Sequence, residues 1–120
     1  MSTAARNVRI VFVMAGDAIE AEKIARSIVE ENLAACANII GPVRSIYRWQ
    51  GKIEDTPEYL IMLKTRTSSY ARLQRRVRQL HSYKVPEIVA LALATGSMPY
   101  LDWVFDSTQQ PATHRPARTL

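Results

Sequence analysis

Apolar positions along this chain change their period several times, and each change marks an element. Val8 to Met14 (VRIVFVM) is a nearly continuous apolar run rich in β-branched residues, the pattern of a strand buried on both faces. Asp17 follows in N-cap position, with Glu20 three residues on in a capping-box arrangement. The helix it predicts runs to about Glu31. Its apolar stripe is Ala18, Ala21, Ile24, Ala25, Ile28 and Val29, and Glu22 and Arg26 stand at i, i+4 on its polar side. Asn32 can take the left-handed conformation that ends it.

From Leu33 to Thr65 the period becomes two. The stretch reads as two long antiparallel strands folded back at Gln50-Gly51, where a glycine supplies the positive φ of a tight turn. On the first arm Val43, Ser45, Tyr47 and Trp49 share one face, and Arg44, Ile46, Arg48 and Gln50 share the other. Straight, the arm from Ala34 would reach about 55 Å at about 3.3 Å per residue, against a radius of gyration of about 13 to 14 Å for a domain of this length. The arm must therefore bend and project. Gly41-Pro42 predicts one irregularity and Asp55-Thr56-Pro57 a second. A projecting ribbon bearing Ile46, Tyr47 and Trp49 exposes apolar surface unless another subunit covers it, so these residues are expected at an oligomer interface.

After Thr65 the helical period returns. Thr67, Ser68 or Ser69 can cap a helix with Tyr70, Leu73, Val77 and Leu80 buried and Arg72, Arg75, Arg76 and Arg78 toward water. His81 to Glu87 is a loop, since Pro86 disfavours helix at Val85, and Ile88 to Ala94 is a last strand. Ser97 and Pro99 open a short helix through Phe105 whose apolar side is Tyr100, Leu101, Trp103 and Val104. The order strand, helix, strand, strand, helix, strand is that of an α+β, ferredoxin-like split βαβ sandwich: an antiparallel sheet with two helices on one face, here with a long extended β-hairpin and a C-terminal helix. Residues 1–106 are expected to form one domain and the polar, Pro-containing residues 107–120 a disordered tail.

Composition narrows the function classes. At 120 residues and 48% hydrophobic, the chain has room for one core. Cys36 is its single cysteine, so no intrachain disulfide forms. Neither a signal peptide nor a membrane span is visible, and the expected location is the cytoplasm. The net charge of +5 is concentrated on the arginine-rich helix and on Arg115 and Arg118 of the tail. It reads as solvated surface rather than a specific nucleic-acid site.

Three separated stretches, LAACANII, SIYRWQGKI and HSYKVPEIVAL, resemble the signature segments of the CutA divalent-cation tolerance family, over roughly Val8 to Trp103. The resemblance implies a homotrimer whose hairpins extend the sheets between subunits, and a role in tolerance and response to divalent metal ions, with weak binding of copper or another divalent cation. The chain departs from the family's pattern at Gly41-Pro42, where Pro-Gly is frequent, and at Gln50, Ser82, Lys84 and Ala92.

Candidate chemistry follows from both readings. Positions that ligate copper in some family members align with Val13, Leu80 and His81, of which only His81 can ligate; the competing reading is a loop histidine bonded to its neighbours. Met14 is a further thioether candidate. Cys36 is a soft candidate ligand, weighed against a buried thiol that packs as a small hydrophobe. Trp49, Lys64, Tyr83 and Glu87 can line an intersubunit cleft for a small polar ligand, or else form a Lys64–Glu87 ion pair with interface packing around it. No activated nucleophile or Gly-rich phosphate loop is visible, so no enzymatic activity is expected. An RNA-binding reading fails because TPEYLIMLK lacks the glycine and aromatic spacing it requires. The alternative is a PII-like trimer that senses a small ligand in its clefts and signals to a protein partner.

Overall fold

The computed structural model describes residues 5–109. Its elements are β1 (Val8–Ala15), α1 (Ala18–Glu30), β2 (Cys36–Trp49), β3 (Lys52–Arg66), a 3-10 turn (Thr67–Ser69), α2 (Tyr70–Leu80), β4 (Ile88–Ala92) and α3 (Met98–Ser107). The strands form one antiparallel sheet in the order β2-β3-β1-β4. This is the ferredoxin-like α+β arrangement that the element order predicts. Among the described residues, no helix is long and apolar enough to cross a membrane.

Both α1 and α2 lie on one face of the sheet. There Val11, Val13, Ala15, Ile61 and Leu63 meet Ile24 and Ile28 of α1 and Leu73 and Val77 of α2 in a single core. Asp17 caps α1 as expected, accepting from the Glu20 N–H at 2.7 Å, and Asn32 ends it at φ 60°. Arg76 of α2 forks onto Glu31 just beyond α1. The serines expected to cap α2 and α3 do not: neither Ser69 nor Ser97 makes a side-chain cap bond. Thr67 instead ties its turn to the Arg6 carbonyl at 2.8 Å.

The opposite face corrects the expectation that β1 is buried on both sides. Ile10, Phe12 and Met14 are only partly covered, because helices in this topology pack against one face. Register sets Phe12 between Met62 and Val89, and Ile10 between Lys64 and Leu91. Val89 and Leu91 are 46% and 42% exposed, and Ile40 joins them on this face. Among the described residues one end of this face is closed, where Leu101 and Val104 of α3 pack on Val8 and Arg66 lies over the Phe105 ring at 3.7 Å. Thr108 is fully buried there and accepts from Arg66 Nε at 3.1 Å, so ordered structure continues past residue 106. Residues 110–120, on which most of the expected tail falls, lie outside the described residues.

The β2–β3 ribbon accounts for a long axis of 52 Å. Its turn places Gln50 at φ 51° and Gly51 at φ 82°, the two left-handed residues of a tight hairpin. A one-residue bulge lies between Ile40 and Val43. Because strand faces alternate, that extra residue moves Val43, Ser45, Tyr47 and Trp49 onto the face that Asn38 and Ile40 occupy below it. The second irregularity, expected at Asp55 to Pro57, is absent: Pro57 pairs with Arg44 in an unbroken ladder. It stands beyond Tyr59, the last β3 residue paired to β1, so one edge is free where a missing N–H deprives no partner. Arg44 clamps Asp55 with two bonds of 2.8 and 2.7 Å.

Candidate functional site

Where the ribbon leaves the body of the sheet, the loop of residues 81–87 rises beside it and encloses a mainly apolar cleft of about 590 Å³. The bulge puts Ser45, Tyr47 and Trp49 on the cleft side, and the same alternation places Glu58 of β3 there, on the face it shares with Leu60 and Met62. Met14 closes the base, and Tyr83, Lys84 and Glu87 form the loop wall.

The loop is held by polar contacts that local sequence rules do not disclose. Glu20 does not complete the capping box; its carboxylate accepts from the Ser82 N–H at 2.6 Å and from Ser82 Oγ at 2.9 Å. His81 is buried, with Nε2 2.6 Å from the Met14 carbonyl and Nδ1 3.1 Å from the Tyr83 N–H. These two contacts, with the Glu20 carboxylate 3.5 Å from Nδ1, fix the orientation of the ring. Tyr83 then donates from its hydroxyl to Glu58 at 2.9 Å. That hydroxyl lies 3.0 Å from where a Cβ on Gly16 would stand, so the close approach uses the missing side chain.

Trp49, Tyr83 and Glu87 thus come together, with Ile46 and Tyr47 beside them. Lys64 does not join. It lies further along the sheet, level with Ile10 and Cys36, and bonds Asn38 Oδ1. Within the single chain no Lys64–Glu87 ion pair forms among the described residues, and Lys84 lines this cleft. Glu58, like Ser45, Lys84 and Val85, is a cleft residue that sequence reasoning did not place there. Its only signal is a carboxylate in phase with the apolar positions Leu60 and Met62.

Cys36 is half-exposed rather than buried, with Sγ 3.6 Å from the Tyr100 hydroxyl. It stands opposite Lys64, whereas His81 bonds the carbonyl of Met14, which stands opposite Leu60. Four residues of strand, roughly 13 Å, separate these levels, too far for one chain to wrap both around one ion. Among the described residues no group of three or more His, Cys, Asp or Glu is placed to hold a metal.

Burial, reinforced by the Glu58 hydrogen bond and charge, pushes the Tyr83 phenol up to about 12; burial and the Cys36 contact do the same for Tyr100. The folded state therefore keeps protons that the unfolded chain releases near pH 10. The stability they contribute is complete below pH 10 and is lost as pH rises toward 12. In a phenolate absorbance titration of the five tyrosines, two should ionise late and Tyr83→Phe should remove one of them. Loss of an early-titrating tyrosine in that variant would contradict the Glu58 contact.

Residues 9–107 match the family described as "CutA1 divalent ion tolerance protein". The chain is 50% identical to the divalent-cation tolerance protein CutA of Thermus thermophilus over 88 residues, 73% of this chain and 85% of that protein. It is 44% identical to human protein CutA over 103 residues, 86% of this chain but 58% of the human protein. A solved Thermus thermophilus structure, titled a divalent cation tolerance protein, superposes with a TM-score of 0.83 at 44% identity, covering 85% of this chain and 99% of that one. CutA1 from Oryza sativa superposes at 0.84 with 35% identity, over 90% and 99%.

Proposed function

The chain belongs to the CutA1 divalent ion tolerance family, and on that premise we propose that it acts as a cytoplasmic homotrimer in the response to divalent cations, copper among them, without catalysing a reaction. The observation that carries the assembly is the strip of partly covered Phe12 and Met62 with exposed Val89 and Leu91 on the face away from the helices, continuous with a projecting ribbon that bears Tyr47 and Trp49. A monomer would leave that surface in water at a cost of about 25 cal/mol per Å². Further copies of the chain, related by symmetry, bury it.

Copper binds weakly in this reading. His81 is the one imidazole among the described residues, and to coordinate an ion it must surrender either the Tyr83 N–H at Nδ1 or the Met14 carbonyl at Nε2. Native mass spectrometry during Cu(II) and Cu(I) titration should show trimers taking up about one weakly held ion per chain, with occupancy reduced in His81→Ala. Monomers throughout would overturn the assembly; undiminished tight binding in the variant would transfer the site to Cys36.

The cleft favours a second reading, a PII-like sensor that takes a small polar ligand between ribbon and loop and passes its state to a protein partner. Tyr47, Trp49 and Tyr83 beside Glu58 support it, being aromatic walls with a polar anchor.

A further inference from the structure

We propose that a groove on the outer side of α2, between its last turns and the loop that follows, binds the diphosphate group of a phosphate-rich anion through Arg75 and Arg78. The groove has a volume of about 470 Å³ and is lined by these two arginines with Gln79, Tyr83, Lys84 and Pro86, and no carboxylate lines it. Neither arginine has a hydrogen-bond or ion-pair partner among the described residues, whereas Arg76 is committed to Glu31 and Arg72 bonds Ser69. Between Glu58 and Glu87 the sequence holds no acidic residue, so nothing on α2 itself neutralises them, and Glu87 lines the ribbon cleft instead. Helix α2 packs on the sheet face opposite the one that subunits cover in the proposed trimer, which leaves the exposed Arg75, Arg78 and Gln79 on the outside of the assembly. Tyr83 and Lys84 also border the ribbon cleft, but the two arginines carry their charge however the ribbon is covered.

Spacing and donor type decide which anion. A guanidinium presents a planar fork that meets two oxygens of one phosphate at once, so two adjacent forks suit two joined phosphates. Arg75 and Arg78 stand three positions apart on one helix, roughly 4.5 Å along its axis and on the same side of it. A single phosphate or sulfate engages one fork and leaves the other in water. Gln79 accepts from Arg76 Nη1 at 3.2 Å through its side-chain carbonyl, which leaves its NH2 group to donate to the same anion. The negative end of the α2 dipole opposes an anion near Arg78, but that effect is screened at an exposed helix end and is weaker than two charge-assisted forks. Attraction by net charge alone would not distinguish Arg78 from Arg72, and this difference makes the site testable.

Calorimetry on the full-length assembled protein tests this, at about 0.15 M salt and free of divalent ions, with inorganic diphosphate, ADP, orthophosphate and sulfate as probes. Diphosphate should bind at least about tenfold tighter than orthophosphate or sulfate, the margin expected of one further charged hydrogen-bonding group. Arg75→Gln and Arg78→Gln should each weaken diphosphate at least about tenfold. Arg72→Gln removes the same charge from the same helix outside the groove and should change affinity by less than about twofold. ADP binding as tightly as diphosphate, or more so, supports the site and assigns the group to an ester; diphosphate binding tighter than ADP supports it and assigns the free anion. No binding of diphosphate, equal affinity for orthophosphate or sulfate, or a loss in Arg72→Gln as large as in Arg78→Gln would each overturn the proposal, the last in favour of diffuse surface charge. Should a variant fail to fold, the probe ranking on the wild type decides alone. Assembly mass recorded on the same samples tests the trimer separately.

Discussion

Ile61→Ala should lower the free energy of unfolding by about 3 kcal/mol, measured by urea denaturation at one fixed protomer concentration. Ile61 has no exposed surface; it stands between Val13 on β1 and Ile39 on β2, on the face covered by α1 and α2. Truncation removes three buried carbons and leaves a cavity that two strands and two helices cannot collapse into without breaking their ladders and their packing. Ile19→Ala is the matched control. That residue is 83% exposed on α1, and its loss should change stability by no more than about 0.5 kcal/mol. Comparable effects at both positions would mean that the helix-covered face is not the packed core.

Val89→Glu should convert the assembly to monomers at low micromolar concentration while the protomer keeps its circular dichroism spectrum. In the isolated protomer Val89 is 46% exposed on β4, so a carboxylate there stays in water and costs the fold little. In a symmetric trimer covering this face, the substitution buries one unpaired charge per subunit. Each costs several kcal/mol, and together they outweigh the apolar burial that drives association. Sedimentation equilibrium distinguishes the species. A trimer unaffected by the substitution would place the interface elsewhere, on the ribbon alone.

Much of the fold is legible because its signals are local. Asp17 caps α1 through a bond three residues away, Asn32 ends it in the left-handed region, and Gln50-Gly51 turns the ribbon within two residues. The stripe of Leu73 and Val77 follows directly from the helical period. The candidate site was legible only in part. Within one chain Trp49, Tyr83 and Glu87 line one cleft together with Lys84, while Lys64 lies further along the sheet beside Asn38.

What the chain determines by itself is the order of elements, their periods and their ends, since each depends on residues a few positions apart. Tertiary structure decided the rest, because it depends on register between distant strands. The single extra residue between Ile40 and Val43 decides which face Tyr47 and Trp49 occupy, and a period of two cannot reveal how many residues a bulge inserts. Pairing of β1 with β3 and β4 decides that Phe12 faces outward, although VRIVFVM reads as buried throughout. Glu20 caps nothing with its side chain because Ser82, 62 positions on, offers it two better-placed donors. Glu58, on β3 between Pro57 and Tyr59, is a buried carboxylate because the loop carrying Tyr83 folds over it.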